Sequence, residues 1–258
     1  MGTRISYTQG TPNWIDLQSP DVEASKRFYS ALFGWNFVSS MLENSMYWVA
    51  DLNGLFVAGI SGHNPENTPV EVPARWNTYI AADRIDTVLS RVAGAGGTVV
   101  TPAFDLPPLG RMAWVADPSG ADFGIWQASR RIGARLVKEP GTLAWNELVT
   151  DNQAVAVPFY EEIFGSVARE AQLGGVRYTY FTVDGVDVAG STPPLISTAL
   201  NHWHVYFTVA NLDSTLSVAK AQGASVIVAS FNLPVGRVAV LRDPQGAFFS
   251  IIRPASAS

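Results

Sequence analysis

The segment FYSALFGW at residues 28–35 returns as FYEEIFGS at residues 159–166, 131 positions later. It is preceded by WIDL at residues 14–17, which returns with the same offset as WNEL at residues 145–148. A spacing that is kept over half of the chain, with turn and apolar residues in register, indicates a duplicated domain of about 125–130 residues. Corresponding positions can therefore be compared: agreement between the halves points to the fold, and disagreement points to function.

Two further marks recur near the end of each half. DPSGA at residues 117–121 corresponds to DPQGA at residues 243–247, and Arg111, which follows a glycine, corresponds to Arg237. Each arginine opens a strand that runs into the DP turn. Because this position is the same in both halves, it favours a structural salt bridge over an anion clamp.

The composition limits the class of protein. The 258 residues suffice for two domains of ordinary size, each with its own core. A net charge of -5 argues against a nucleic-acid partner. The absence of cysteine excludes disulfides, thiolate catalysis and cysteine-ligated metals. No apolar stretch approaches about 20 residues and MGTRISYTQG contains no apolar leader, so we expect no membrane span and a cytoplasmic protein.

The hydrophobic periodicity predicts the same order of elements four times. A strand-like alternation is followed by a helix and then by three strand-like segments, a pattern written βαβββ. In the first unit, Ser19 is a candidate helix cap and Gly34 a candidate helix stop. The predicted units cover residues 11–62, 74–128, 142–191 and 201–253, and they divide the chain into domains at 1–130 and 131–258.

Four βαβββ units with an FY…FG helix and a DPxGA hairpin resemble the vicinal oxygen chelate superfamily. This superfamily includes glyoxalase I, extradiol dioxygenases and the bleomycin- and fosfomycin-resistance proteins. The resemblance covers nearly the whole chain. Within the superfamily, it is a resemblance to the tandem glyoxalase-like proteins of actinobacteria, some of which are called hydroxylases. It implies an α+β fold of two glyoxalase-like domains, each a curled sheet that encloses a cup for a small molecule. The motifs leave the reaction open, because one fold supports many chemistries.

Metal-dependent members of this superfamily hold their metal with residues from three strands of a domain. The matching positions are Trp14, Asn77 and Gly124 in the first half and Trp145, His204 and Ser250 in the second. Only His204 is a metal ligand by residue type. The resemblance therefore implies that the usual metal site is absent and that no cofactor is needed there. The two tryptophans would fill the space of the metal or stack on a planar ligand.

Residues two apart on a strand share a face, so the lining of each cup can be predicted. We expect Trp14, Asp16, Asn77, Tyr79 and Trp126 in the first cup and Trp145, Glu147, His204, Tyr206 and Ser250 in the second. Aromatic walls with a few polar groups are typical of ligand sites. The candidates for catalysis are Asp16, Glu147, His204 and Tyr206, and the other six residues would bind the substrate.

Asp16 and Glu147 lie on otherwise apolar strands, where an unpaired buried carboxylate is costly. One interpretation is a general base whose pKa is raised by the aromatic surroundings. The other interpretation is a structural partner for Arg111, for Arg237 or for a backbone N–H.

His204 and His202 would share a strand face, and neither has a histidine counterpart in the first half. A hydrogen-bonded histidine at the rim of the cup is one interpretation, and a proton-transfer or ligand-binding residue is a second. A third is a divalent transition metal held by His202, His204 and Glu147, in the arrangement of two histidines and one carboxylate that binds iron.

Three functions remain open. The first is a metal-independent enzyme, a hydroxylase, lyase or isomerase that acts on a carbonyl-bearing or aromatic metabolite. Glu147 or Asp16 would be its base, and His204 and Tyr206 would handle protons or the oxyanion. The second is a ligand-sequestering protein of the resistance type, and the third is a metal-dependent glyoxalase or dioxygenase. The expected partner is a small-molecule ligand, and because one chain already carries four units, a monomer or a homodimer is expected.

Overall fold

The computed structural model describes residues 2–42, 45–63, 72–195 and 200–255. Its first half follows the predicted order of elements. These elements are β1 (Pro12–Ser19), α1 (Val22–Phe33), β2 (Asn36–Leu42), β3 (Ser45–Leu52), β4 (Leu55–Gly62), β5 (Arg75–Ala81), α2 (Ile85–Val92), β6 (Thr98–Leu106), β7 (Gly110–Ala116) and β8 (Asp122–Ala128).

The second half repeats the same order. Its elements are β9 (Leu143–Val149), α3 (Gln153–Phe164), β10 (Val167–Leu173), β11 (Val176–Val183), β12 (Val186–Thr192), β13 (His202–Thr208), α4 (Leu212–Ala221), β14 (Ser225–Leu233), β15 (Gly236–Arg242) and β16 (Phe248–Pro254). Within the ranges given above, no helix is long and apolar enough to pass through a lipid bilayer.

Each half forms its own eight-stranded sheet. The strand order is β2-β3-β4-β1-β5-β8-β7-β6 in the first sheet and β10-β11-β12-β9-β13-β16-β15-β14 in the second. The first strands of the two units in each half, β1 with β5 and β9 with β13, lie antiparallel at the centre. The α+β fold of four βαβββ units in two domains is therefore confirmed.

The ends of α1 show how the local sequence sets the bounds of the helix. The side chain of Asp21 caps the helix by accepting a hydrogen bond from the backbone N–H of Ala24 at 2.9 Å. The prediction of Ser19 as the cap is wrong, because Asp21 directly precedes the first helical residue and the Ser19 hydroxyl lies 2.8 Å from the Ser25 hydroxyl instead. Gly34 ends the helix with a φ of 74°, as predicted.

The helices of the two halves pack against each other in a shared core. Helix α1 contacts α4, and α2 contacts α3. Phe33 of α1 packs on Phe207 of β13 with ring centroids 4.8 Å apart, and Phe123 of β8 packs on Tyr160 of α3 at 5.4 Å. The apolar residues between the two sheets thus form two hydrophobic clusters, each with residues from both halves, and the other face of each sheet is left for a cup.

The FY motif of each half contacts the DP motif of the other half. The hydroxyl of Tyr29 in α1 donates a hydrogen bond to Asp243 Oδ2 at 2.9 Å and accepts one from Trp76 Nε1 at 3.0 Å. The other oxygen of Asp243 accepts the backbone N–H groups of Gln245 and Ala247, each at 2.9 Å. Burial raises the pKa of the Asp243 carboxyl, and the hydrogen bonds oppose this shift by stabilising the carboxylate.

The same arrangement occurs at the matching position of the other half. The hydroxyl of Tyr160 in α3 donates to Asp117 Oδ2 at 2.9 Å and accepts a hydrogen bond from Trp203 Nε1 at 3.0 Å. The tyrosine of each half therefore bonds to the DP turn of the other half. Both marks that reveal the repeat in the sequence serve to join the halves.

Arg111 and Arg237 form surface salt bridges. Arg111 Nη1 lies 2.7 Å from Asp86 Oδ2, and Arg237 Nη1 lies 2.8 Å from Asp213 Oδ2. The predicted structural salt bridge is confirmed in both halves. The hypothesis that these arginines pair with the carboxylates of the cups is wrong, because helices α2 and α4 supply nearer acids.

Replacing Tyr29 or Tyr160 by phenylalanine removes the hydroxyl and keeps the packed ring. Because the partner carboxylate stays buried, we expect each change to lower the free energy of unfolding by about 1.5–3 kcal/mol. Urea unfolding at pH 7 measures the loss. Tyr180→Phe is the control, since the Tyr180 ring is only half-buried, and it should change stability by less than about 0.5 kcal/mol. Wild-type stability in both variants would contradict a structural role for the two hydroxyls.

Candidate functional site

Strand alternation places the two candidate carboxylates in the cups. On β1, Ile15 and Leu17 are fully buried on the helix side, so Trp14 and Asp16 point to the opposite face. Asp16 is 4% exposed, and Glu147 at the matching position of β9 is 7% exposed. Both carboxylates are therefore shielded from water at the centre of their sheets.

Asp16 is surrounded by neutral hydrogen-bond donors. The amide of Asn77 donates to Asp16 Oδ1 at 2.8 Å, and the hydroxyls of Tyr79 and Tyr47 donate to Asp16 Oδ2 at 2.8 and 3.1 Å. Burial raises the pKa of Asp16, and the three hydrogen bonds oppose this shift. The result is a buried carboxylate that neutral groups hold in one orientation.

Tyr47 of β3 is a cup residue that the strand pattern does not predict. Its hydroxyl accepts a hydrogen bond from Trp14 Nε1 at 2.8 Å, so the tryptophan, the phenol and the carboxylate form a chain. The ring crosses β4 at Gly59, where an added Cβ would overlap the Tyr47 hydroxyl. The repeat contains a signal for this contact, because Tyr178 and Gly190 stand 131 positions after Tyr47 and Gly59.

A cavity of about 50 Å³ lies beside Asp16. Four residues predicted for the first cup line it: Trp14, Asp16, Tyr79 and Trp126. Asn77, the fifth, bonds to the Asp16 carboxylate. The remaining lining comes from residues that the sequence prediction omits: Tyr47, Leu106, Leu109, Met112, Arg131 and Gly133.

Arg131 brings a positive charge to this cavity. It follows β8, and its backbone carbonyl accepts a hydrogen bond from Trp126 Nε1 at 2.7 Å. Its guanidinium lies 5.1 Å from the centroid of the Phe56 ring. Burial lowers the pKa of Arg131, although a guanidinium remains charged at neutral pH. The first cup thus combines a carboxylate, two phenols and a cation.

The second cup repeats the chain of tryptophan, tyrosine and carboxylate. Trp145 Nε1 donates to the Tyr178 hydroxyl at 2.8 Å, and the Tyr206 hydroxyl donates to Glu147 Oε2 at 2.7 Å. Burial raises the pKa of Glu147, and hydrogen bonds from Tyr206 and Tyr178 oppose this shift. The structure therefore brings Trp145, Glu147 and Tyr206 together as predicted by strand alternation.

His204 takes the position in the second cup that Asn77 takes in the first cup, and its imidazole is neutral. Its Nε2 lies 2.8 Å from Ser250 Oγ. Burial, with a smaller effect of the neighbouring His202, lowers the pKa of His204 to about 3. His202 Nδ1 lies 2.8 Å from the carbonyl oxygen of Leu200 and donates to it, since a carbonyl only accepts. Both histidines are thus hydrogen-bonded to protein groups.

These residues do not fit a metal ion. Among the residues described, no three histidine, cysteine or acidic side chains are grouped so that they could hold a metal. In the first cup, one of the three positions that match metal ligands is Gly124, where an added Cβ would overlap the ring of Tyr79.

Comparison with a protein family agrees with this fold. The sequence profile of the Glyoxalase/Bleomycin resistance protein/Dioxygenase superfamily matches residues 11–125 and 135–251. The chain therefore belongs to this superfamily, with one matching region in each half.

Alignments with two relatives cover nearly the whole chain. The chain is 45% identical over 259 residues to "Putative glyoxylase CFP32" of Mycobacterium tuberculosis (strain CDC 1551 / Oshkosh), covering 99% of each chain. It is 37% identical over 258 residues to "Anthracycline biosynthesis protein DnrV" of Streptomyces peucetius, covering 95% of this chain and 94% of the relative. The crystal structure of the Mn(II)-bound glyoxalase from Novosphingobium aromaticivorans matches with a TM-score of 0.67 and 16% identity, over 95% of this chain and 82% of that chain. The structural match shows a common fold.

Replacing His204 by asparagine, the residue at the matching position of the first cup, should change the pH dependence of stability. The folded pKa of about 3 lies below the ordinary value of 6.5, so the unfolded chain binds more protons between these values. Stability therefore falls as the pH drops through this window, by up to about 1.4 kcal/mol per pH unit for this group. Urea unfolding at pH 7, 6, 5 and 4 should show a shallower loss in the variant. Parallel slopes in the two proteins would contradict a buried neutral His204.

Proposed function

We propose that this protein is a metal-independent enzyme that binds a flat, carbonyl-bearing aromatic metabolite in its first cup and removes a proton from it with Asp16. The observation that carries the proposal is the buried carboxyl of Asp16 beside a cavity walled by Trp14 and Trp126. Flat aromatic walls favour a planar ligand, and a few convergent polar groups fix its orientation.

Asp16 has the features of a general base. Because burial raises its pKa, its carboxylate accepts a proton more readily than that of an exposed aspartate. In the proposed step, a proton on the carbon next to the carbonyl passes to Asp16. The electron pair of the broken C–H bond forms a C=C bond to the carbonyl carbon, and the π pair of the C=O bond moves to the oxygen, which gives an enolate. This step begins an isomerase or lyase reaction and requires no oxidant, unlike a hydroxylation.

The cavity also supplies partners for the enolate oxygen. The guanidinium of Arg131, which lines the cavity, provides a fixed positive charge for the developing oxyanion. Once Asp16 is protonated, its carboxyl group accepts fewer hydrogen bonds, so the Tyr79 hydroxyl becomes available to donate to the enolate. Both interactions strengthen as negative charge develops on the substrate, which lowers the barrier.

The size of the cavity limits how the substrate enters. Its volume of about 50 Å³ is far below the roughly 300–1,000 Å³ of sites that enclose a whole ligand. We therefore expect the edge of one ring, with its carbonyl, to reach Asp16. The rest of the molecule would lie against the apolar side chains of Leu106, Leu109 and Met112.

The similarity to a protein named for anthracycline biosynthesis supports an aromatic substrate. Anthracyclines are polycyclic compounds with ring carbonyls, which is the chemistry that the walls and the base of the first cup suit. The proposal of a metal-free reaction is supported by residue type, because Trp14 and Gly124 stand at positions where the resemblance to metal-dependent members of the superfamily would place ligands.

A ligand-sequestering protein is the second candidate. It is favoured by the three hydrogen bonds that Asp16 already accepts, because a carboxylate held in this way also serves as a fixed polar anchor. A sequestering protein needs the aromatic walls but no proton transfer. The two functions are therefore separated by a measurement of proton exchange.

Solvent deuterium exchange tests the proposal without knowledge of the product. Polycyclic hydroxyketones and hydroxyquinones are incubated with the protein in D2O, and NMR follows the loss of the C–H signal next to the carbonyl. We expect exchange with the wild type and a rate at least about 100-fold lower with Asp16→Asn. Ligand affinity, measured by tryptophan fluorescence, should stay within about threefold because the wall contacts are unchanged.

Glu147→Gln is the matched control, because it alters the corresponding carboxylate of the second cup and should exchange at the wild-type rate. Equal exchange rates in the wild type and Asp16→Asn would refute Asp16 as the base. Compounds that bind both proteins without exchange would favour the sequestering function. Loss of exchange in Glu147→Gln alone would move the reaction to the second cup.

A further inference from the structure

A second cavity, of about 280 Å³, is lined by neither Asp16 nor Glu147, but it shares Trp145 with the second cup. It is bounded by the segment that precedes β1, by the segment that precedes β9 and by the hairpin between β11 and β12. Tyr7, Trp145 and Val188 contribute apolar surface, and Arg4 and Lys138 stand at its margin. The volume is close to the lower end of the roughly 300–1,000 Å³ of small-molecule sites.

Comparison of the halves shows how this cavity arises. Phe56 stands 131 positions before Asp187. In the first half, the Phe56 ring packs 5.1 Å from the Arg131 guanidinium, and its carbonyl accepts the backbone N–H of Arg135 at 2.7 Å. In the second half, the smaller Asp187 bonds to Arg169 Nη2 at 2.6 Å and lines the cavity. Phe56 therefore fills a space in the first half that the smaller Asp187 leaves open as a cavity in the second half.

The charges at the cavity margin favour an anion. Within the part of the chain that the structure describes, neither Arg4 nor Lys138 forms a salt bridge, whereas Asp187 is neutralised by Arg169. The other acid at the margin, Asp184, is exposed on the hairpin turn. Partial burial and the nearby Arg4 lower the pKa of Lys138, and the Asp187 carboxylate opposes this shift. Arg4 and Lys138 both line the cavity, so an anion between them would gain two charge-assisted contacts.

The backbone holds Lys138 in an uncommon conformation. Its φ of 60° lies in the left-handed region, which residues other than glycine rarely adopt. Its N–H donates to the carbonyl of Leu143 at 2.8 Å, and its Nζ lies 5.8 Å from the centroid of the Trp145 ring. Backbone strain of this kind concentrates at positions that contact ligands. Here it places the ammonium group beside the aromatic floor of the cavity.

We propose that this cavity binds a small aromatic organic acid, with its anionic group between Arg4 and Lys138 and its ring against Trp145 and Tyr7. The site is distinct from the first cup. It would hold its ligand whether or not Asp16 is a base, so its test is independent of the proposed reaction.

Two dyes that differ in one anionic group test this proposal on the full chain. 8-Anilinonaphthalene-1-sulfonate carries a sulfonate, and N-phenyl-1-naphthylamine is the same aromatic body without it. Fluorescence titration should show binding of the anionic dye, weakened about tenfold in Lys138→Met because one charge-assisted contact is lost. The neutral dye should bind the variant and the wild type alike. Lys220→Met, an exposed lysine on α4, is the control and should bind both dyes as the wild type does.

A second variant tests the cavity by filling it. Asp187→Phe installs the residue of the first half, and binding of both dyes should be lost while circular dichroism shows a folded protein. If Asp187→Phe does not fold, the dye titration of Lys138→Met tests the proposal by itself. Equal binding of the anionic dye by Lys138→Met and Lys220→Met would overturn the proposal. Binding that survives in folded Asp187→Phe, or that is lost in Trp126→Ala of the first cup, would overturn it as well.

Discussion

The hydrogen bond between the Tyr29 hydroxyl and the Asp243 carboxylate, with its counterpart between Tyr160 and Asp117, organises the molecule. Each bond joins the first helix of one half to the last turn of the other, and a tryptophan N–H from a central strand completes it. A buried carboxylate that loses such a partner costs about 1–3 kcal/mol, so the helices are held firmly between the sheets. The central strands consequently present their other faces to the cups, where the remaining carboxylates lie.

The order of elements could be predicted from the sequence because it depends on local patterns, such as strand alternation, helical spacing and the stop at Gly34. The position of Tyr47 in the first cup could not be predicted from such patterns. Its hydroxyl reaches the Asp16 carboxylate across β4, so the contact depends on the order of the strands in the sheet. The bond from Tyr29 to Asp243 spans 214 positions, and an aromatic residue on a helix face predicts only core packing. The repeat held a signal for both, because each of these residues has a counterpart in the other half.

The halves agree in the chain of tryptophan, phenol and carboxylate, and they differ in what surrounds it. The amide of Asn77 bonds directly to its carboxylate, whereas the neutral His204 at the matching position bonds to Ser250. In the first half, aromatic walls leave a cavity beside the carboxylate; in the second, Asp187 opens a different cavity where Phe56 fills the corresponding space. On this account, duplication preserved the fold and allowed one half to specialise in a reaction and the other in binding.

The proposed function depends on cups that hold no transition metal. Plasma mass spectrometry of the purified full chain, before and after mild chelation, tests it most directly. The account predicts less than about a tenth of an equivalent of any transition metal, and ligand binding that chelation leaves unchanged. A stoichiometric metal that chelation removes would contradict it and would point to His202, His204 and Glu147 as the ligands.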